Sequence, residues 1–274
     1  MITFFTKTTI GYSHIKENKC CQDYSASYHD EERTIITSAD GHGGDIYIRS
    51  HLGSKFASEA AIKVLKEFDK SDFYRYSKID IINNLRLKIL CEWNRMVEEN
   101  LIDHFIGKKE VTHLNEKKIY KLKQNPEKAY GTTLNAAMIY GNKLICVSIG
   151  DGGLFLIKKG DIINAFPDDE EIVANITYSM CQEDAYERLK IEIYDFTELD
   201  GVIVCTDGLI NPYQNILNFK EKFVKPICVK LIEGKHSEIN DFIITVGENI
   251  GIGDDVTLGI ALKSQISLKK YLSE

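Results

Sequence analysis

The residues best suited to chemistry in this sequence are aspartates placed at the ends of predicted strands. Asp40 ends an apolar strand and opens the string Asp40-Gly41-His42-Gly43-Gly44, while Asp207 ends another apolar run and is followed by Gly208. A single Asp-Gly pair is usually a turn, but repetition of the arrangement is harder to explain by turns alone. Five sites share it, with the acid following or directly preceding a strand: Asp23, Asp40, Asp151, Asp207 and the pair Asp254–Asp255.

These acids predict a site for divalent cations. Like charges that are brought together repel each other unless a cation compensates them. Oxygen ligands without sulfur favour magnesium or manganese over zinc or copper, and the adjacent glycines let backbone carbonyls approach an ion closely. His42 alone could be a capping or hydrogen-bonding histidine. Two residues after Asp40, it is also a candidate proton donor.

The elements that must position these residues are predicted from hydrophobic periodicity. Two helical patterns, Leu52–Phe68 and Ile82–Met96, separate blocks of strands, and two later helices are predicted at Tyr213–Glu233 and Ser237–Glu248. Clustered strands and blocks of helices favour an α+β fold with antiparallel sheets covered by helices. The predicted strands are Ile2–Ile10, Ser25–Tyr28, Thr34–Ala39, Thr132–Tyr140, Lys143–Ile149, Gly153–Lys158, Ile191–Phe196, Gly201–Thr206 and Val256–Leu262.

Length and composition narrow the classes of protein. The 274 residues contain four prolines and no Gly/Ser-rich linker, which predicts a single domain over 1–274 with an insertion or long connection at about 107–128. Seven cysteines without paired zinc-type spacing indicate reduced intracellular thiols. No signal peptide and no run of the ~20 apolar residues needed to cross a bilayer is present, so we expect a cytoplasmic protein that does not bind membranes. The net charge of −7 argues against nucleic acid as a partner.

The string from Asp40 to Gly44 resembles a signature of the type 2C metal-dependent serine/threonine protein phosphatases, in a bacterial-like branch. Each motif alone is weak, but the set occurs in the family's order from about residue 8 to residue 263. The resemblance implies a four-layer α-β-β-α sandwich of two antiparallel sheets flanked by helices, with metals in a cleft at one end. The further matching motifs are Gly11–His14, Cys21–Asp23, Gly131–Thr133, Gly150–Gly152, Thr206–Gly208 and Asp254–Thr257.

The resemblance also implies a role for each acid toward Mn²⁺ or Mg²⁺, two ions per chain. Asp40 would bridge both cations, the Gly41 carbonyl would bind one of them, and Asp207 and Asp254 would hold the other. His42 would protonate the leaving group. Two further acids complete the implied set: Asp23, acting through water, and Asp151, which with Asp207 would form a weaker third metal site.

Two positions depart from the family pattern. An arginine that grips the substrate phosphate often stands five residues before the acid matched by Asp23, and here that position is Asn18. Lys16 and Lys19 are nearby and become the candidate substrate-binding residues. The usual glutamate before the same acid is replaced by Gln22.

The expected function is hydrolysis of phosphoserine and phosphothreonine in proteins by a metal-activated water, opposing a kinase. The cysteine-dependent phosphatase motif Cys-x5-Arg is absent, and an EF-hand starting at Asp40 fails because its twelfth position is His51. Two alternatives remain open. One is a catalytically silent phosphatase-like binding module, and the other is a hydrolase of small-molecule phosphates.

Overall fold

The fold consists of ten strands in the described part of the chain. The computed structural model describes residues 1–167, 177–250, 253–265 and 271. The predicted domain over 1–274 includes residues outside these ranges and stays a prediction. The strands are β1 (Ile2–Thr9), β2 (Tyr24–His29), β3 (Arg33–Ala39), β4 (Leu134–Tyr140), β5 (Lys143–Ile149), β6 (Gly153–Lys158), β7 (Asp161–Asn164), β8 (Lys190–Asp195), β9 (Gly201–Cys205) and β10 (Val256–Lys263).

The strands form two five-stranded antiparallel sheets. The first has the order β1-β10-β9-β6-β7, and the second has the order β2-β3-β4-β5-β8. All nine predicted strands are present within one or two residues of their expected bounds. The short edge strand β7 was not predicted, because three of its four residues are polar or exposed and it lacks an apolar face.

Helices cover the outer face of each sheet. The long helices α2 and α4 confirm the two helical patterns and pack beside the second sheet, whereas α9 and α10 lie against the first. Within the described ranges, none of the helices combines the length and apolarity needed to span a bilayer. The helices are α1 (Tyr12–Lys16), α2 (Ser50–Lys66), α3 (Asp72–Arg75), α4 (Lys78–Asp103), α5 (Glu116–Gln124), α6 (Ala185–Arg188), α7 (Asp207–Ile210), α8 (Ile216–Phe219), α9 (Lys225–Ile232) and α10 (His236–Thr245).

Three hydrophobic layers hold the sandwich together. Because successive strand residues point to opposite faces, Ile35 of β3 packs under α2 and α4, while Ile36 faces the other sheet. In β9, Ile203 faces α9 and α10, and Val204 joins Ile36 between the sheets. This arrangement confirms the α+β class and the α-β-β-α layering. It also aligns the end of β3, the end of β9 and the start of β10 at one end of the molecule.

Candidate metal centre

The loop that follows β3 carries Asp40 and is fixed by its backbone. The Asp40 amide donates to Thr133 Oγ1 over 2.9 Å. The Asp40 carbonyl accepts from the Thr133 amide and from Thr132 Oγ1, both over 2.8 Å. These bonds tie the end of β3 to the residues that precede β4, so that the Asp40 side chain is held at the end of the second sheet.

Gly41 passes through a space too small for any side chain. A Cβ atom there would lie 2.6 Å from the Gln22 carbonyl oxygen and 2.7 Å from that of Ser50. Its amide donates to the Gln22 carbonyl over 3.1 Å. Among the described residues, the Gly41 carbonyl accepts no backbone hydrogen bond, so its oxygen is available to a ligand.

Gln22 joins several parts of this loop. Its side-chain amide donates to the His42 carbonyl over 3.3 Å and to Ser50 Oγ over 2.6 Å. A glutamate, the residue expected from the family pattern, could not donate to a carbonyl. The amide at position 22 therefore has a positioning role that the acid could not perform.

Asp23 is buried where the two sheets meet. Its Oδ2 atom accepts hydrogen bonds from Thr206 Oγ1 over 2.7 Å and from Thr257 Oγ1 over 2.8 Å. Burial and the neighbouring Asp255 raise the pKa of Asp23, and the two hydroxyl donors only partly oppose this rise. Asp23 thus links the entry of β2 to the end of β9 and the start of β10.

Asp207 begins α7 and has one buried carboxylate oxygen that no donor among the described residues satisfies. Asn211 Nδ2 donates to its Oδ2 atom over 2.9 Å. The other oxygen, Oδ1, is buried and accepts no hydrogen bond from the described residues. Burial, and then Asp151 and Asp254, raise the pKa of Asp207, whereas the donor Asn211 lowers it. The Asp40 and Asp207 carboxyl groups lie close enough for the charge of Asp207 to raise the pKa of Asp40.

The pKa of Asp40 is affected by four other acids of the site. Burial raises the pKa of Asp40 well above its usual value, and four neighbouring carboxylates raise it further. The buried Asp207 Oδ1 atom has no donor among the described residues, and burial and the neighbouring carboxylates raise the pKa values of Asp40 and Asp207. A hard divalent cation bound here would neutralise this concentration of negative charge. The residues present fit such an ion. The four neighbours of Asp40 are Asp23, Asp207, Asp254 and Asp151.

The acids are close enough to raise the pKa values of Asp40 and Asp207, but their carboxylate groups do not converge on a common position. Within the described residues, no three His, Cys, Asp or Glu side chains already converge as a ligand set. The Asp254 side chain is 44% exposed, and Asp151 is exposed and accepts a hydrogen bond from Thr177 Oγ1.

Asp255 is a site residue that the sequence analysis did not assign. It is buried, and its carboxylate accepts from the Gly11 amide over 2.8 Å and from the Gln22 amide over 2.6 Å. His14 Nδ1 lies 2.9 Å from Asp255 Oδ1 but without the alignment of a hydrogen bond. Asp255 thus anchors the N-terminal motif to the start of β10. The two adjacent acids before β10 could have indicated two different roles, since adjacent residues in an extended segment point to opposite sides.

His42 lies in the same loop as Asp40 and is half-buried. Its amide donates to the Gly131 carbonyl over 3.1 Å, and its ring meets the Tyr47 ring edge-on, with 4.9 Å between centroids. Burial lowers the pKa of His42, and the charge of Asp151 only partly opposes this. The imidazole is therefore mostly neutral at pH 7, so proton donation would depend on its protonated fraction.

The two candidate phosphate-binding lysines lie on the exposed surface at and just after the end of α1. Lys16 is exposed at the end of α1, and Lys19 is exposed and paired with Glu17 over 2.7 Å. The bond to Glu17 and its charge raise the pKa of Lys19. Asn18 between them has a φ of 53°, a left-handed conformation that asparagine tolerates better than arginine does. Local backbone geometry therefore favours asparagine at this position.

One cavity of the described structure lies away from the acids. It has a volume of about 910 Å³ and is lined by Arg33, Phe196 and Lys263, among others. Arg33 begins β3, whereas Asp40 follows its end. The cavity is therefore at the opposite end of the sandwich and takes no part in the candidate centre.

The fold and the acidic centre define a type 2C phosphatase domain, and comparison with known families agrees. Residues 10–240 match the model of the family Protein phosphatase 2C. The chain belongs to this family. No curated protein matches the chain at a significant level.

Solved structures show the same fold at low sequence identity. A bacterial serine phosphatase is 16% identical, with a TM-score of 0.61 over 96% of this chain and 98% of the other. The S. agalactiae serine/threonine phosphatase is 19% identical, with a TM-score of 0.56 over 96% and 99%. The catalytic domain of the phosphatase PstP, in complex with two manganese ions, is 17% identical, with a TM-score of 0.55 over 95% and 97%.

Proposed function

We propose that this chain is a metal-dependent phosphatase that hydrolyses phosphoserine and phosphothreonine in proteins. Asp40, the Gly41 carbonyl, Asp207 and Asp254 would hold two Mn²⁺ or Mg²⁺ ions, and Asp151 would serve a weaker third site. The observation that carries the proposal is the buried Asp207 Oδ1 atom, which has no donor among the described residues and belongs to a carboxyl group within electrostatic range of Asp40.

The contacts of the chain's own residues indicate a separate role for each of them in the proposed reaction. When bound, the cations would supply Lewis-acid activation of a water molecule and neutralise phosphoryl oxygens. Asp23 keeps the two sheets in register beneath the centre through its threonine hydroxyls. His42 would hold a proton for the departing alkoxide, which is a much poorer leaving group than a phenolate.

The choice of metal and substrate is supported by the related structures. One of these structures carries two manganese ions, and all three are described as serine or serine/threonine phosphatases. We therefore propose manganese as the first ion to test and a phosphoprotein as the substrate, with a protein kinase acting in the opposite direction in the cytoplasm.

The test is hydrolysis of phosphoserine, phosphothreonine and phosphotyrosine peptides with and without Mn²⁺. We expect activity on the first two, complete loss after chelation, and a loss of at least about a hundredfold in Asp207→Asn. The matched control is Asp241→Asn, which changes an exposed acid on α10 and should leave the rates unaltered.

Two outcomes would contradict the proposal. Full activity after exhaustive chelation would exclude a metal-activated water. Manganese binding measured by calorimetry without any hydrolysis would instead indicate the silent binding module, which the replacement of the phosphate-gripping arginine by Asn18 favours.

A further inference from the structure

The lysine-rich segment (residues 107–128) is fastened beside the candidate centre at its start. The buried Arg49 guanidinium donates from Nε and Nη2 to the two carboxylate oxygens of Glu110, over 2.8 and 3.0 Å. Its remaining contacts reach the carbonyls of His104 and Phe105 and the Tyr130 hydroxyl. Because every donor of this planar fork is used, the segment is held in one orientation relative to the start of α2.

The middle of the segment contacts the loop that carries His42. His113 Nε2 lies 3.3 Å from the Asp45 carbonyl, and Lys118 Nζ donates to Asp45 Oδ2 over 2.7 Å. Just past the segment, the Gly131 carbonyl accepts the His42 amide over 3.1 Å. The segment therefore lies along the edge of the centre rather than apart from it.

Helix α5 presents exposed lysines next to the contact between Lys118 and Asp45. Asn115 caps the helix, accepting the Lys118 amide over 2.9 Å, and Leu122 is buried in the core. At 100° per residue, Lys117 and Lys121 follow Lys118 around the helix on the side away from the buried face. Both are exposed. We call Lys117, Lys118 and Lys121 the lysine stripe.

The charge of this segment is not neutralised within the described structure. Between residues 108 and 128, seven lysines stand against three glutamates, in a chain of net charge −7. Among the described residues, only Lys118 of these seven lysines forms an ion pair. Lys117 and Lys121, four residues apart, repel each other along the helix. Lys117 and Lys121 therefore weaken their own helix, and among the described residues neither forms an ion pair that would offset this.

We infer that the lysine stripe binds acidic side chains that flank the phosphorylated residue of a substrate protein. The inference rests on the proposed function and adds a preference to it. The centre itself is strongly acidic and would repel an acidic peptide until cations are bound. A basic strip at its edge would offset this repulsion and would steer such a peptide toward the centre.

The experiment compares two phosphothreonine peptides, whose flanking residues are aspartate in one and asparagine in the other. The test variant is Lys117→Glu/Lys121→Glu, which keeps the contact between Lys118 and Asp45. The control, Lys88→Glu/Lys159→Glu, makes the same change of charge on α4 and in the turn after β6, where both lysines are exposed. Hydrolysis of p-nitrophenyl phosphate reports the centre alone.

We expect the wild type to prefer the aspartate-flanked peptide in kcat/KM. The test variant should lose roughly three- to tenfold on that peptide, the range for two or three exposed charge contacts, and nothing on p-nitrophenyl phosphate. Raising the ionic strength should erase the preference, because exposed charges are screened. The control should behave as the wild type.

Equal rates on both peptides in the wild type, with p-nitrophenyl phosphate still hydrolysed, would overturn the inference and leave the proposed function intact. If no substrate is hydrolysed, fluorescence anisotropy of the labelled peptides gives the same comparison as a difference in Kd. Tighter binding of a single-stranded RNA than of the aspartate-flanked peptide would also overturn it.

Discussion

At His42, burial and the charge of Asp151 shift the pKa in opposite directions, and burial has the larger effect. Because the pKa of His42 is lowered from its ordinary value of 6.5, only a minor fraction of the imidazole is protonated at any pH above 6.5. Proton donation to a leaving group should therefore weaken as the pH rises, whereas reactions that need no proton should not be affected. This separates a proton donor from a residue that only positions water.

The first prediction is that His42→Gln loses about 10²–10⁴-fold in kcat on an alkyl phosphate, the usual contribution of a general acid. On p-nitrophenyl phosphate the loss should be much smaller. In the wild type, the alkyl phosphate rate should fall as the pH is raised through the pKa of His42, and this limb should be missing in the variant. Steady-state rates from pH 5 to 9 test it. Equal losses on both substrates would assign His42 to positioning.

The second prediction concerns Asn18 and its left-handed backbone. Arginine at this position costs roughly 1–2 kcal/mol of conformational energy, so Asn18→Arg should lower the free energy of unfolding while Asn18→Gly should not. If the guanidinium reaches the phosphate, KM should fall about tenfold or more with little change in kcat. Urea unfolding and inhibition by inorganic phosphate test both parts. Unchanged phosphate inhibition in Asn18→Arg, together with weaker inhibition in Lys19→Ala, would show that a lysine binds the phosphate.

At the scale of elements, the link between Arg49 and Glu110 joins the lysine-rich segment to α2. Arg49 is the buried partner, and Glu110 is 37% exposed on its side chain. Removing the carboxylate leaves a buried charge with only neutral acceptors, which destabilises more than removing an exposed charge does. The partial exposure of Glu110 reduces this cost.

The third prediction is therefore that Glu110→Gln lowers the free energy of unfolding by roughly 1–2 kcal/mol. The control Glu116→Gln, an exposed acid in the first turn of α5, should cost a few tenths at most. Limited proteolysis should cut the Glu110→Gln variant faster between residues 107 and 128. Equal stability of the two variants would mean that Arg49 does not need the carboxylate.

The elements could be predicted where an apolar pattern is strong and regular. Strand β9, which precedes Asp207, is continuously apolar and buried on both faces. Strand β3, which precedes Asp40, could be recognised by its β-branched residues. Helix α5 was expected only as a connection, since one buried leucine and several lysines give a weak pattern. The predicted helix Tyr213–Glu233 is divided into α8, a π turn at Lys220–Val224 and α9. Pro226 lacks an amide hydrogen and cannot continue the hydrogen-bonding of an α-helix.

In the site, the sequence indicated which acids to examine but not how each is held. Asp23 could be noticed as an acid beside a strand, but its bonds to Thr206 and Thr257 join residues about 180 and 230 positions apart in the chain. Asp255 was hidden by its neighbour Asp254. Such contacts follow from sheet pairing, which single-sequence patterns do not determine.

At the scale of the whole molecule, the acidic centre sets the pH dependence of stability. For Asp23, Asp40 and Asp207 the folded pKa is raised above the unfolded value of 3.8. The folded state therefore binds more protons, and these groups favour folding increasingly as the pH falls toward 3.8. Above the raised pKa values their charges oppose folding unless cations neutralise them.

The fourth prediction follows for the chelated protein. Asp40→Asn should raise its Tm at pH 8, and this gain should shrink as the pH falls toward 3.8. Mn²⁺ at about a hundred times its Kd should stabilise the wild type by roughly 2.7 kcal/mol per site, and Asp40→Asn by much less. Differential scanning calorimetry at several pH values measures both. A lower Tm of chelated Asp40→Asn at pH 8 would show that the buried charge is already compensated within the chain.

The pairing of β1 with β10 has a consequence for how the protein folds during its synthesis. Strand β10 lies between β1 and β9, and Ile2 pairs with Lys263. Asp255 at the start of β10 holds the Gly11 and Gln22 amides. During synthesis, the edge of β1 therefore stays without its partner, and the loops around Asp23 and Asp40 stay without their anchor, until residue 263 has left the ribosome. Metal binding should thus appear in a single late step, and nascent chains ending before residue 254 should bind no manganese at the centre.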